Sequence, residues 1–160
     1  MRIIILNGPN LNLLGVREPH IYGTTTLGAI EAACHDFARA IGASLAFHQS
    51  NHEGHLVDLV QTARTEADAL IINAAAFSFT SIALLDALLA FEGPIIEVHL
   101  SNIHARDEAH RHSKLAAVAK GVICGLGGYG YILALQAAAQ LLGKLPPTLP
   151  ASQLAARREA

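Results

Sequence analysis

Residues 69–100 decide the fold, and they read ALIINAAAFSFTSIALLDALLAFEGPIIEVHL. A short apolar run at Ala69–Ile72 is followed by a segment of helical period at Ile82–Phe91 and by a second apolar run at Pro94–Val98. Neither run alternates polar with apolar residues, which is typical of strands buried on both faces of a parallel sheet. The stretch therefore predicts a strand, a crossover helix and a second strand parallel to the first.

Three more apolar runs and three more segments of helical period continue this alternation along the chain. In chain order they occupy Arg2–Leu6, 27–41, Ser44–Phe47, 56–67, Gly121–Cys124 and 131–142. Gly42 stands where a helix C-cap is expected. The alternation predicts an α/β fold, with a flavodoxin-like, doubly wound sheet of five parallel strands in three layers. In such sheets ligands bind beyond the carboxyl ends of the strands.

The length of 160 residues corresponds to about one domain. We expect a single flavodoxin-like domain over residues 1–143. Prolines at 146, 147 and 150 interrupt any continuing helix, and the chain then becomes polar and charged. We therefore expect residues 144–160 to form a loosely ordered C-terminal extension.

The composition indicates a folded protein with little surface charge. Hydrophobic residues make up 52% of the chain and charged residues only 15%, which is far from the composition of disordered proteins. So little charge leaves less polar surface than a monomer usually displays, and this predicts a homo-oligomer. Eleven Lys and Arg residues against thirteen Asp and Glu residues give a net charge of −2. We expect neither nucleic acid nor a membrane surface as a partner.

Two segments have features of a membrane span or a targeting signal. Gly121–Gly143 contains no charged residue and has about the length of a bilayer span. It also contains six glycines, two glutamines and two tyrosines, so a strand, a turn and a buried helix explain it better. The apolar run in Met1–Gly8 is too short for a signal peptide. We expect a cytoplasmic protein.

Metal and nucleotide chemistry have weak support. Cys34 and Cys124 lie far apart without a CxxC spacing, and we expect both to be buried as small hydrophobic residues. None of the nine histidines has the HExxH spacing, and His52-Glu53-Gly54-His55 is one residue short of it. Residues 125–130 match GxGxxG, but the following strand and acidic residue of a dinucleotide fold are missing.

Three polar clusters follow predicted strands. Residues 7–26 form a long loop with three asparagines, an arginine and a tyrosine, which indicates a site with a movable lid or, alternatively, ordinary turn chemistry. Glu97 and His99 lie on one face of a strand, so His99 could be a general acid that the Glu97 carboxylate orients. Alternatively, His99 is a structural histidine held by hydrogen bonds. Asn73 opens a loop that ends in residues 78–81, Ser-Phe-Thr-Ser, which could hold an anion or simply cap a helix.

Four blocks together resemble the type II 3-dehydroquinate dehydratases of the shikimate pathway, over about Arg2 to Leu142. The blocks are 7–23 (NGPNLNLLGVREPHIYG), 49–56 (QSNHEGHL), 73–86 and 97–106 (EVHLSNIHAR). The resemblance implies a flavodoxin-like subunit, a dodecamer built of trimers, and no metal or organic cofactor. It implies a hydro-lyase that converts 3-dehydroquinate to 3-dehydroshikimate through an enolate.

The resemblance also implies a catalytic role for five residues. Tyr22 corresponds to the tyrosinate that abstracts the proton, and Arg17 to the cation that stabilises this phenolate, as a permanently charged guanidinium can. His99 corresponds to the general acid that protonates the leaving C1 hydroxyl, and Glu97 to its orienting carboxylate. Asn10 corresponds to the residue that steadies the enolate oxygen.

Substrate binding is implied for four more positions. Asn73 and the backbone of Leu100 and Ser101 correspond to groups that bind the substrate and its carboxylate. Asp86 corresponds to an acid that reaches across a subunit boundary.

The chain departs from the family at two places near the expected substrate. Phe79 stands where the family has histidine, and Ala109-His110 stands where the family has a Phe-Arg pair. The missing histidine and arginine would contact ring hydroxyls, and each lost contact costs about 1–3 kcal/mol. Two alternatives therefore stay open: a divergent enzyme acting on a related cyclic hydroxy-keto acid, and an oligomer that binds a ligand without catalysis.

Overall fold

The computed structural model describes residues 1–16 and 24–149. Five strands form one parallel sheet in the order β2-β1-β3-β4-β5. The strands are β1 (Arg2–Asn7), β2 (Ser44–Gln49), β3 (Ala69–Asn73), β4 (Ile95–His99) and β5 (Gly121–Cys124). The helices are α1 (Leu27–Ala40), α2 (Glu53–Glu66), α3 (Phe77–Thr80), α4 (Ile82–Leu89) and α5 (Tyr129–Leu141). Short 3₁₀ turns lie at Leu11–Leu13, Ile103–Ala105, Glu108–His110 and Leu115–Ala117. The predicted α/β fold with a flavodoxin-like sheet of five parallel strands is confirmed.

Alternating strand residues form a separate core on each face of the sheet. Ile3 and Ile5 of β1 point to the face covered by α1 and α5, where they join a cluster that includes Tyr131. Ile4 and Leu6 point to the opposite face, into a cluster with side chains of α2 and α4. Because every β1 side chain from Ile3 onward is buried, the strand shows no polar alternation in its sequence.

Local signals in the sequence set the helix ends. Gly42 has a φ of 69°, and its N–H donates to the carbonyl of Arg39, so it terminates α1 as the sequence predicts. The Ser81 hydroxyl accepts from the N–H of Leu84 at 2.8 Å and caps α4. The preceding helical turn, α3, was not predicted from the sequence, which indicated helix caps or an anion site at residues 78–81.

The strand order reverses direction between β1 and β3, and the loops that leave these two strands are in close contact at that point. The N–H of Gly8 donates to the carbonyl of Asn73 at 2.8 Å. A Cβ atom on Gly8 would lie 2.1 Å from the carbonyl oxygen of Ala74, so only glycine permits this approach. The loops after β1 and β3 are thus in contact at the point where the strand order reverses, and doubly wound sheets bind their ligands beside such a point.

The two cysteines have different environments. Cys34 is fully buried in α1, and burial together with the nearby Glu31 raises the pKa of its thiol to about 12. Cys124 is only partly buried, so the expectation of burial was wrong for this residue. It ends β5, which is one of the two edge strands of the sheet and has a neighbour on one side only.

The segment weighed as a membrane span folds as β5, a turn and α5. In the part of the chain that the structure describes, no helix is both long enough and apolar enough to span a bilayer. Beyond α5, the N–H of Lys144 donates to the carbonyl of Ala139 at 2.8 Å, and the buried Leu145 packs beside Ile41. The loose order expected for the remainder of the extension stays a prediction, because residues 150–160 lie outside the described ranges.

Candidate active site

An open cavity of about 120 Å³ lies at the carboxyl ends of β1, β3 and β4. Three loops line it, one from each of these neighbouring strands. Their lining residues are Pro9, Asn10, Leu11 and Leu14, then Asn73, Ala75, Ala76 and Phe79, then His99, Leu100, Ser101, Ile103, Arg106 and His110. The cavity thus brings together Asn10, Asn73, His99, Leu100 and Ser101 from the set of residues predicted from sequence.

A buried histidine–carboxylate pair forms one wall. The side chains of Glu97 and His99 are 0% and 5% exposed, and Nε2 of His99 lies 2.7 Å from Oε1 of Glu97. The period of two along β4 places both side chains on the same face. An ionised carboxylate only accepts hydrogen bonds, so the His99 Nε2–H donates to it, and Nδ1 is the ring nitrogen left for other partners.

Glu97 receives a second hydrogen bond, from Ser113. The Ser113 hydroxyl oxygen lies 2.5 Å from Oε1 of Glu97, so one carboxylate oxygen accepts from both His99 and Ser113. Within the described residues, the other oxygen, Oε2, is buried without a hydrogen-bond partner. Ser113 lies sixteen positions beyond Glu97, and no spacing pattern in the sequence connects the two residues.

The loop after β1 is held in place by the end of β2. Asn10 adopts a left-handed conformation with a φ of 66°, which asparagine tolerates better than most residues. Its N–H donates to Oδ1 of Asn51 at 2.9 Å, and the amide of Gln49 donates to the same oxygen at 3.0 Å. The block at 49–56 therefore positions Asn10 at the cavity.

A buried network of hydrogen bonds between the sheet and α5 fixes the side chain of Asn73. Its Nδ2 donates to the Tyr131 hydroxyl at 2.8 Å, and that hydroxyl donates to Oδ1 of Asn7 at 2.6 Å. Nδ2 of Asn7 in turn donates to the carbonyl of His48 at 2.9 Å. Burial raises the pKa of the Tyr131 hydroxyl, which stays protonated and keeps its donor role. Sequence reasoning missed Tyr131, although a tyrosine in an otherwise apolar helix requires a polar partner.

The glycines of the GxGxxG segment support the end of β4. The N–H of Gly125 donates to the carbonyl of His99 at 3.2 Å, and the N–H of Gly127 donates to the carbonyl of Leu100 at 2.9 Å. Both glycines have positive φ values, of 86° and 56°. This loop positions the backbone of the cavity wall, so the motif has a structural explanation in this fold.

The two departures from the family pattern meet at the cavity. The ring of Phe79 stacks on the imidazole of His99, with centroids 5.9 Å apart and planes at 26°. The ring of His110 meets Phe79 edge-on at 5.6 Å. Nδ1 of His110 lies 2.8 Å from Oδ1 of Asp107, and this hydrogen bond is the main cause of the lowered pKa of the Asp107 carboxyl. The wall beside His99 is therefore apolar at Phe79, with the imidazole of His110 next to it.

Asp86 is the predicted residue that the structure places away from this arrangement. Asp86 lies on α4 in a separate groove that also contains Val57 and Arg64, so within one subunit it does not reach the cavity. Its role across a subunit boundary stays a prediction. Arg17 and Tyr22 lie outside the described residues, and their roles also stay predictions.

Metal ligands do not cluster in the described ranges. Within residues 1–16 and 24–149, no group of three or more His, Cys, Asp or Glu side chains is arranged to hold a metal ion. The histidines noted in the sequence include His52, which precedes α2, and His55, which is exposed on that helix.

The fold and cavity define an α/β protein with a buried histidine–carboxylate pair at the carboxyl edge of its sheet. Comparisons with known proteins identify the family. Residues 1–139 match the family described as dehydroquinase class II. The 3-dehydroquinate dehydratase of Dinoroseobacter shibae is 55% identical over 135 residues, which cover 84% of this chain and 90% of that protein. The catabolic 3-dehydroquinase 1 of Aspergillus fumigatus is 54% identical over 134 residues, covering 84% and 89%.

Solved structures agree with these matches. The type II dehydroquinase of Propionibacterium acnes superposes with a TM-score of 0.84 at 42% identity, covering 87% of this chain and 96% of that chain. The chain belongs to the class II dehydroquinase family, and the resemblance inferred from its sequence is confirmed.

Proposed function

We propose that this protein is a 3-dehydroquinate dehydratase, a carbon–oxygen lyase that removes water from 3-dehydroquinate to give 3-dehydroshikimate. One observation carries the proposal: a buried Glu97–His99 pair stands at the wall of the cavity in a chain of the class II dehydroquinase family. The relatives named above carry this activity in their names.

The reaction needs a base and an acid on the two sides of one carbon–carbon bond. Tyr22, as the phenolate stabilised by Arg17, takes a proton from C2, and the electrons pass to the C3 oxygen to form an enolate. Asn10 steadies that oxygen through a bridging water molecule. When the enolate returns to the ketone, the C1–C2 double bond forms and the C1 hydroxyl leaves with a proton from His99. Proton return from Tyr22 to His99 then restores the enzyme, and the net change is the loss of one water.

The arrangement around His99 suits the role of acid. Glu97 holds Nε2, so the ring is fixed in orientation and the proton for the leaving group comes from Nδ1. Asn73, with the backbone N–H groups of Leu100 and Ser101, binds the substrate and its carboxylate at the same edge of the sheet. Each of these residues lines the cavity, which supports their assignment to binding.

The decisive assay follows formation of the conjugated enone from 3-dehydroquinate by its ultraviolet absorbance, on protein treated with a metal chelator. We expect turnover by the wild type. His99→Ala should lower kcat by about 100-fold or more, because a general acid contributes about 10²–10⁴-fold. His112→Ala, at an exposed histidine paired with Glu108, is the matched control and should retain activity. Binding of a substrate analogue without any turnover by the wild type would instead support the non-catalytic alternative.

A second candidate substrate class is favoured by Phe79 and His110. An apolar ring against His99 suits a cyclic hydroxy-keto acid with fewer ring hydroxyls than 3-dehydroquinate. Assaying a panel of such acids beside 3-dehydroquinate decides between the two substrate classes. A divergent enzyme should have a higher kcat/KM for one of the analogues than for 3-dehydroquinate.

We also propose that the chain assembles as a dodecamer built of trimers and works in the cytoplasm. The exposed apolar side chains of Ile82 and Leu89 on α4, the helix that carries Asp86, support an interface there. Light scattering should then give a particle about twelve times the 16.9 kDa chain mass, and a monomer would exclude the assembly. Cell fractionation with an antibody to the chain tests the location.

A further inference from the structure

Ser113 lies between two 3₁₀ turns, next to the buried pair at the cavity. Its hydroxyl oxygen accepts from the N–H of Leu115 at 3.1 Å, which fixes the oxygen in place. Two acceptors then compete for its single proton: Oε1 of Glu97 at 2.5 Å and the carbonyl of Ser78 at 3.5 Å. The carboxylate is both closer and charged, so the hydroxyl proton is directed at Glu97.

Glu97 depends on this hydrogen bond because it is fully buried. An ionised carboxylate removed from water is costly unless hydrogen bonds or an opposite charge compensate it. Across the described residues, His99 and Ser113 are the two groups that donate to Glu97, and both donate to Oε1. Of these two donors, Ser113 is the one whose charge does not change when His99 transfers a proton.

We propose that Ser113 is a positioning residue that acts through Glu97: its hydroxyl holds the carboxylate in place while His99 gives its Nδ1 proton to the leaving hydroxyl. Before the transfer, Glu97 faces an imidazolium cation. Afterwards it faces a neutral ring that still donates from Nε2, and the Ser113 hydroxyl supplies the second hydrogen bond. The inference rests on the dehydratase function proposed above.

The first test is kinetic and uses a double-mutant cycle. Ser113→Ala should lower kcat by about 10- to 100-fold, as expected for a lost hydrogen bond to a charged group, with KM within about 2-fold of the wild type. Ser113→Thr retains the hydroxyl and should restore most of kcat. In the Glu97→Gln background, Ser113→Ala should lower kcat by less than about 3-fold, because the carboxylate on which the Ser113 hydroxyl acts is already gone.

A purely structural role predicts a different pattern. The Ser113 hydroxyl oxygen also accepts from the N–H of Leu115, the first residue of the turn at Leu115–Ala117, and loss of that hydrogen bond would lower Tm equally in both backgrounds. If kcat of Ser113→Ala equals that of the wild type, or falls equally with Glu97 and with Gln at that position, the positioning role is overturned.

The second test needs no turnover, so it separates failure of this inference from failure of the proposed function. The His99 Nε2–H donated to Glu97 should give a downfield proton resonance, assigned by its disappearance in His99→Ala. Ser113→Ala should shift this resonance, and Ser113→Thr should leave it near its wild-type position. An unchanged resonance in Ser113→Ala would overturn the inference even in an active enzyme, whereas a shifted one in an inactive protein would leave the positioning role standing.

Discussion

Tyr131→Phe removes one oxygen atom from the centre of the network beneath the cavity. The phenyl ring keeps its packing, including the contact with Phe47 at a centroid distance of 6.3 Å. Two hydrogen bonds are lost, one to Oδ1 of Asn7 at 2.6 Å and one from Nδ2 of Asn73 at 2.8 Å. Asn7, Asn73 and Tyr131 are 0%, 3% and 0% exposed, so bulk water does not replace the missing partner.

The magnitude follows from the two polar groups left behind. Each buried donor or acceptor without a partner costs about 1–3 kcal/mol, so the variant should lose about 2–6 kcal/mol of unfolding free energy. The total unfolding free energy of a typical domain is about 5–15 kcal/mol, so this loss is a large share of it. The amide of Asn73 also loses the contact that orients it, so KM for 3-dehydroquinate should rise.

Urea denaturation at a fixed subunit concentration measures the loss, with the transition followed by circular dichroism. Tyr129→Phe is the matched control, because Tyr129 is 62% exposed and its change should stay within about 0.5 kcal/mol. If Tyr131→Phe destabilises the protein no more than Tyr129→Phe does, the network does not contribute as argued.

Three further predictions concern the contact between the loops after β1 and β3, the buried Cys34, and the cavity wall at Phe79 and His110. Gly8→Ala should lower Tm by several degrees, because the new Cβ would lie 2.1 Å from the carbonyl oxygen of Ala74 and the two loops must separate. Between pH 9 and 12 the free energy of unfolding should fall as pH rises, because the unfolded chain releases the Cys34 proton near 9.0 while the folded protein keeps it to about 12. Phe79→His combined with His110→Arg should raise kcat/KM for 3-dehydroquinate by about 10-fold or more, because two polar contacts to ring hydroxyls return.

Each of these has its own control. Gly54→Ala, in the first turn of α2 with no atom within 4 Å of the new Cβ, should keep or raise Tm, and a similar effect at both glycines would contradict the steric argument. Cys34→Ala should reduce the alkaline slope of stability without removing it, because the raised pKa of the buried Tyr131 acts in the same direction above pH 10.0. An unchanged slope would exclude Cys34 as a contributor. If the double variant loses kcat/KM for 3-dehydroquinate, the substrate does not approach Phe79 and His110.

The strands extend further than their apolar runs indicate. From hydrophobicity alone, β1 and β3 are expected to end at Leu6 and Ile72, whereas each continues by one residue, to Asn7 and Asn73. The polar residues stay in the sheet because their backbones pair in register, with Asn7 opposite Asn73. Hydrophobicity cannot indicate this, since it reports side-chain burial and not the pairing of backbone groups.

The part of the site formed by residues close together in the sequence could be predicted. Glu97 and His99 are two residues apart on one strand, so the period of the strand alone brings them together. Tyr131 is 124 positions from Asn7, and Ser113 is sixteen from Glu97 across an irregular loop. Such contacts arise from the packing of α5 under the sheet and from the path of the loop after β4, and a single sequence does not encode either as a pattern.

The contacts beyond α5 determine where a label can be attached. Leu145 packs beside Ile41 and Met1, and Lys144 lies 3.8 Å from Asp68, all near the amino-terminal ends of the strands. The last described residue, Leu149, packs with this same cluster, while the cavity opens at the other edge of the sheet. A fluorophore or surface linker joined at this position would therefore sit on the side of the subunit remote from substrate entry.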